Sequence, residues 1–169
     1  DPIIIGWTGS HSTLKYLMLI ESVLQKIENQ FPQVSFLIIA DQRPTLQLNR
    51  VTFMKWNTQT ELEDLLKLDI GIMPLPDDEW AKGKCGFKAL QYMALEIPAV
   101  VSAVGVNTSL INDGIDGFLC RSTEEWVSSL EKLITSKTLR AGMGKYGSQK
   151  VLEHYSVSSN STTFLSLFE

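Results

Sequence analysis

The sequence predicts a three-layer α/β domain, with a roughly six-stranded, mainly parallel sheet and additional helices at its C-terminal end. Three observations carry this. Short β-branched apolar runs alternate with amphipathic helical patterns as far as Cys120. The runs are apolar at nearly every position, as strands covered on both faces of a parallel sheet must be. After Thr123 the strand runs cease and only helical patterns follow.

The first run, Ile3-Ile4-Ile5-Gly6-Trp7-Thr8, reads as a strand, and Gly9-Ser10-His11-Ser12 as the loop that leaves it. Leu14, Leu17, Met18 and residues 21–27 continue as one amphipathic helix, stopped near Phe31-Pro32. Residues 34–40 form the second strand and 51–56 the third, followed by a capped helix over 58–67. The fourth strand covers 69–74, the fifth 99–102 and a small sixth 117–120, with a short helix at 109–112 before the Gly114 and Gly117 turns. Helices are expected over 123–135, 137–155 and 158–168. The last carries Phe164, Leu165, Leu167 and Phe168, and so requires an apolar partner, on its own domain or on another.

With 169 residues the chain has the length of one domain with a real core, and 44% hydrophobic and 20% charged residues are ordinary for a water-soluble fold. A net charge of -4 argues against a general nucleic-acid binder, which neutralises phosphates with excess Lys and Arg. Two cysteines, Cys85 and Cys120, are too few for a disulfide scaffold and lack metal-ligand spacing, so a reduced, cytoplasmic compartment is expected. No apolar run reaches the roughly 20 residues that span a bilayer. Asp1-Pro2 lacks an initiator Met and leads straight into a strand, which reads as a piece of a longer protein.

Ligands of open parallel sheets bind at the carboxyl ends of the strands. Three loops leave those ends, at 9–12, 76–86 and 103–107, and are expected to converge. The most informative stretch is Gly83-Lys84-Cys85-Gly86-Phe87-Lys88-Ala89-Leu90-Gln91, a glycine-containing loop opening a helix. A helix N-terminus offers unpaired N–H groups and partial positive charge, which suit a phosphate. Lysine in the first turn opposes the helix dipole and therefore asks for an anion. Lys82, Lys84 and Lys88 form the local basic cluster, and Phe87, Leu90 and Ala94 are expected to face the core. Lys88 and Gln91 share another face, roughly 5–6 Å apart at Cβ, a separation that suits a lysine on a diphosphate and an amide on the adjoining ribose. Neither G-x-G-x-x-G nor a Walker A loop is present. His11 reads as a surface or capping histidine, and Asp77-Asp78-Glu79 as a solvated acidic loop, not a metal site.

Asp69-Ile70-Gly71-Ile72-Met73-Pro74-Leu75, Gly86-Phe87-Lys88-Ala89-Leu90-Gln91-Tyr92-Met93-Ala94, Ile97-Pro98-Ala99-Val100-Val101-Ser102, Gly105 and Asp113-Gly114-Ile115-Asp116-Gly117-Phe118-Leu119 together resemble one family. It is the C-terminal, donor-binding, Rossmann-like half of GT-B glycosyltransferases of family 4, the group 1 transferases. The resemblance implies a single nucleotide-sugar-binding domain over 1–169, the C-terminal part of a two-domain enzyme. It implies transfer of a hexosyl group from a nucleoside-diphosphate sugar to an acceptor, with retention and without a cofactor or essential metal. The acceptor site and the main catalytic groups would belong to a missing N-terminal domain, which would also make any peripheral contact with the inner face of the membrane. The isolated chain would then turn over little.

In the family, two glutamates flank the glycine-rich helix start. Matching Leu90-Gln91-Tyr92-Met93-Ala94 to the family's Leu-Glu-Ala-Met-Ala puts Gln91 at the second, which binds ribose, and Gly83 at the first, near the donor sugar. Candidate diphosphate contacts are Gly9, Ser10, Lys84, Gly86, Phe87 and Lys88; Gln91 is the ribose candidate. Trp56 and Asn57 are assigned to the base region, and Gly83 and Cys85 to the vicinity of the donor sugar. Lys15 alone stands near the family's basic pair after the first strand. The alternatives are a nucleotide-sugar epimerase of the same fold, and a non-catalytic nucleotide-binding module.

Overall fold

Strands β1 (Ile3–Gly9), β2 (Val34–Ala40), β3 (Val51–Lys55), β4 (Ile70–Met73), β5 (Ala99–Ser102) and β6 (Gly117–Cys120) form one sheet in the order β3-β2-β1-β4-β5-β6. Every neighbouring pair is parallel. The computed structural model describes residues 2–168; Asp1, noted above for the missing initiator, and Glu169 lie outside them. Strand order reverses between β1 and β4, the place where this kind of sheet opens a crevice.

The apolar strands feed two cores. On β2, Val34, Phe36 and Ile38 pack on one face, while Leu37 and Ile39 pack on the other. This period-two division explains why a strand buried on both sides carries almost no polar residue.

The connections differ from expectation in instructive ways. The expected continuous helix at 14–27 is instead α1 (His11–Leu14), a 3₁₀ turn (Leu17–Ile20) and α2 (Glu21–Gln30). The adjacent residues Tyr16 and Leu17 are both buried, but in opposite cores, and a straight helix with one apolar stripe cannot do that. Helix α3 (Glu61–Leu65) is shorter than 58–67, because Asn57 Oδ1 accepts the Gln59 N–H at 2.9 Å and holds the preceding residues in a turn. Helix α4 (Glu79–Lys82) stands where a loop was expected; Asp78 caps it, accepting the Ala81 N–H at 2.7 Å.

Helix α5 (Phe87–Ala94) follows, then α6 (Asn107–Leu110), two residues earlier than expected. Helices α7 (Thr123–Thr135), α8 (Lys137–His154) and α9 (Val157–Leu165) complete the chain with a 3₁₀ turn (Ser166–Phe168). Helix α8 is tied to the loop before β6 by Lys150 and the buried Asp116, 3.0 Å apart. Helix α9 buries none of its residues, so Phe164 and Leu165 find no covering surface among the described residues.

One carboxylate holds the β2–β3 connection. Glu28, near the end of α2 and 3% exposed, accepts the Arg50 N–H at 2.6 Å and the Asn49 N–H at 3.0 Å. The Arg50 guanidinium in turn caps the carbonyls of Glu28, Phe31 and Val34. Burial pushes the Glu28 carboxyl up, but these N–H groups outweigh it and hold it below its ordinary 4.5. The stabilisation is therefore complete above pH 4.5 and is lost as pH falls through the depressed value. Glu28→Gln is expected to cost about 1–3 kcal/mol at neutral pH. Denaturant melts at pH 7 and in acid should show that penalty shrinking as the wild-type carboxyl protonates.

Candidate functional site

Tyr92, fully buried on α5, ties the helix to the sheet where the strands diverge. The β1–β4 ladder pairs Ile5 with Ile70 and Gly6 with Gly71. Beyond it the Tyr92 hydroxyl accepts the Thr8 N–H at 3.2 Å and donates to the Ile72 carbonyl at 3.3 Å. The phenol thus replaces a ladder contact between β1 and β4. The ring lies against Gly71, where a Cβ would come within 2.4 Å of it. Burial pushes the phenol far above its ordinary 10.0, so it stays a neutral donor and acceptor.

Tyr92 also decides which face of α5 is buried. Ala89, Tyr92 and Met93 face the sheet, whereas Phe87 is 61% exposed, Leu90 is half-buried and Ala94 exposed. The expectation that Phe87, Leu90 and Ala94 would face the core holds for Leu90, which packs against it, and fails for Phe87 and Ala94. Gly86 begins the helix at φ +71°, a left-handed conformation that glycine adopts without strain. It is buried against Val106 and Leu110, not open to ligand.

Pinned this way, α5 presents Phe87, Lys88 and Gln91 to a cleft of about 420 Å³ at the carboxyl ends of β1, β2 and β3. Thr8, Gly9 and Ser10 line it from the end of β1, and Asp41 and Trp56 from just beyond β2 and β3. Glu61, the first residue of α3, completes it.

Lys88 is the dominant charge. Its ammonium lies 5.6 Å from the centre of the buried Trp7 ring, and among the described residues no carboxylate pairs with it. Burial, and then repulsion from Lys84, lower its pKa below the ordinary 10.5. Among the described residues it is thus a half-buried cation without a counter-charge. Lys84 sits over the rings of Tyr16 (5.8 Å) and Trp80 (5.7 Å), with Lys15 also 5.6 Å from the Tyr16 ring. Lys82 drops out of the expected cluster, because Asp77 (3.3 Å) and Glu79 (3.2 Å) neutralise it.

Of the expected site residues, the fold brings Gly9, Ser10, Trp56, Phe87, Lys88 and Gln91 to one cleft. Lys84, Gly83, Cys85, Gly86 and Asn57 are outside its lining. Gly83 ends α4, Cys85 is exposed, and Asn57 spends its side-chain carbonyl on the turn. The expected convergence of three loops also needs correction. Residues from 103–107 line a separate depression with Pro76 and Asp77, over the ends of β4, β5 and β6.

Sequence reasoning missed Thr8, Asp41 and Glu61. Asp41 follows immediately on β2, a strand-end position that alone would have flagged it. It accepts both the His11 backbone N–H and the His11 Nδ1–H at 2.5 Å. Those bonds hold the Asp41 carboxyl below its ordinary 3.8. The position of Glu61 depends on how α3 folds back toward α5, and no local motif announces that.

The sequence model described as "Glycosyl transferases group 1" matches residues 2–136. The chain belongs to the group 1 glycosyltransferases. A curated relative, the D-inositol 3-phosphate glycosyltransferase of Stackebrandtia nassauensis, is 33% identical over 94 residues; these are 54% of this chain and 20% of the relative. The chain thus spans about one fifth of that protein. The solved C-terminal domain of a group 1 family glycosyltransferase (LpcC) from Francisella tularensis superposes with TM-score 0.69 at 18% identity, covering 92% of this chain and 87% of that one. HepE of Anabaena, solved in complex with UDP-glucose, gives TM-score 0.76 at 16% identity, over 99% of this chain and 49% of HepE. These low identities speak for the fold alone. As a group 1 glycosyltransferase, the chain has the all-parallel Rossmann-like layer of the GT-B enzymes.

Two outcomes follow from this geometry. Gly71→Ala is expected to destabilise by about 1–3 kcal/mol, because its methyl group overlaps the Tyr92 ring; thermal melts check it. For Lys88 the folded value lies below the unfolded one, so its charge opposes folding at neutral pH, and stability rises as pH passes from the depressed value toward 10.5. Lys88→Met should therefore hold or raise the melting temperature at pH 7, whereas a structural lysine would lose stability.

Proposed function

We propose that this chain is the donor-binding, C-terminal half of a retaining family 4 glycosyltransferase that moves a hexosyl group from a nucleoside-diphosphate sugar to an acceptor. The observation that carries the reading is the unpaired, half-buried Lys88 at the start of α5, in the cleft beyond the strand-order reversal. Its ammonium and the first N–H groups of α5 receive the diphosphate and stabilise it as it leaves, while positive charge develops on the sugar. Ser10 and Gly9 approach the diphosphate from the β1 end, and Trp56 borders the base. Lys84 and Lys15, gathered at the Tyr16 ring, extend the positive field on that side. The donor sugar lies toward Gly83 and Cys85.

The UDP-glucose complex of HepE supports a nucleotide-sugar donor for this cleft. A preceding Rossmann-like domain supplies the acceptor site and the main catalytic groups; the 49% coverage of HepE supports that division. No helix among the described residues is long and apolar enough to cross a membrane. Action at the cytoplasmic face, in polysaccharide or glycoconjugate synthesis, then rests on contacts made by the preceding domain. No metal ion is required, because the lysines and the helix N–H groups perform the charge stabilisation.

Titrating the protein with UDP, GDP and ADP, followed by tryptophan fluorescence and amide shifts, tests the reading. Millimolar or tighter binding is expected, with shifts concentrated at Ser10, Lys88 and Gln91. Lys88→Ala should weaken the diphosphates about 10–100-fold, since hydrogen bonds to charged groups contribute about 1.5–3 kcal/mol, and leave the parent nucleosides nearly unaffected. Equal losses for nucleoside and diphosphate, or silence at all three sites, would contradict it.

A further inference from the structure

Resting on the nucleotide-donor reading, we propose that Glu61 supplies the carboxylate that reads the ribose, with Gln91 acting as the residue that positions it. Gln91 Nε2 donates to Glu61 Oε1 at 3.2 Å, joining α5 to the start of α3 across the cleft that both side chains line. One N–H of the amide is thereby engaged by Glu61. The carboxylate retains Oε2 and further lone pairs, and it can only accept hydrogen bonds.

The rest of the cleft leaves Glu61 as the free acceptor. Asp41, the other carboxylate lining it, has one oxygen on the His11 backbone and the other on the His11 ring. Glu61 has no cationic partner among the described residues, although the unpaired Lys88 lines the same cleft. The charges are therefore separated: a lone cation at the start of α5, and a lone carboxylate beside the residue one helical turn further on. A ligand matching that layout carries an anion at one end and adjacent hydroxyl donors at the other. The vicinal 2′- and 3′-hydroxyls of a nucleoside diphosphate meet both demands, and a carboxylate accepts from a diol with both oxygens.

The test compares UDP, GDP and ADP with their 2′-deoxy counterparts on the wild-type chain and on Glu61→Ala, Glu61→Gln, Gln91→Ala and the control Glu63→Ala. Circular dichroism melts confirm that each variant is folded. The wild type should prefer the ribonucleotide by roughly tenfold, the scale of one charged hydrogen bond. Glu61→Ala should weaken the ribonucleotide to the deoxynucleotide value and leave the latter nearly unchanged. Glu61→Gln and Gln91→Ala should keep part of the preference, and Glu63→Ala, exposed on the same helix, all of it. Equal losses for ribo- and deoxynucleotides in Glu61→Ala, or a preference that survives it, would overturn the assignment. Nucleoside diphosphates that bind without any ribose preference would overturn it while leaving the donor reading intact. Nucleoside diphosphates that do not bind at all would overturn both.

Discussion

The seating of Tyr92 against Gly71 is the constraint on which the site depends. A parallel sheet whose order reverses must splay at the reversal, and splayed strands leave backbone groups without ladder partners. Here the Tyr92 hydroxyl occupies that gap, bonding the Thr8 N–H and the Ile72 carbonyl together. One side chain therefore fixes the distance between β1 and β4 and the rotation of α5. With that rotation set, Lys88 and Gln91 have no choice but to face the β1 end, and Phe87 must leave the core. The glycine beneath the ring is part of the same device, since any side chain there would lift the helix from the sheet.

Charge placement in the cleft opposes stability. Lys88 is desolvated, no carboxylate among the described residues pairs with it, and Lys84 repels it. Such groups persist when the surrounding fold outweighs their cost. Two buried polar networks of the domain lie elsewhere, at Glu28–Arg50–Asn49 and at Asp116–Lys150. Those networks are satisfied among their own members, whereas Lys88 is left open to a ligand. That contrast separates scaffold from site more clearly than any single distance.

The layer architecture was legible in the sequence because doubly covered strands announce themselves by unbroken apolar runs. The start of α5 was legible too, through Gly86 just before a lysine-bearing first turn. What escaped was information carried by tertiary geometry. The face of α5 turned on Tyr92 fitting a hole made by Gly71, twenty-one residues away. Tyr16 and Leu17 divided one apolar run between two cores, and so broke a helix that periodicity alone would have continued. Glu61 joined the cleft only through the fold-back of α3, and Lys82 left the basic cluster because Asp77 and Glu79 pair with it. Family likeness pointed to position 91 for ribose. The hydrogen bond from Gln91 to Glu61 sets a carboxylate beside that position.

The most direct measurement of the central claim is the UDP dissociation constant of Tyr92→Phe, taken beside its thermal stability. Removing the hydroxyl deletes the bond to Thr8 and Ile72 while keeping the ring. A folded protein is expected, destabilised by about 1–3 kcal/mol for the buried groups left unpaired, with a several-fold weaker affinity as α5 loses its register. Stability lost with UDP affinity unchanged would contradict it, and would reduce Tyr92 to packing alone.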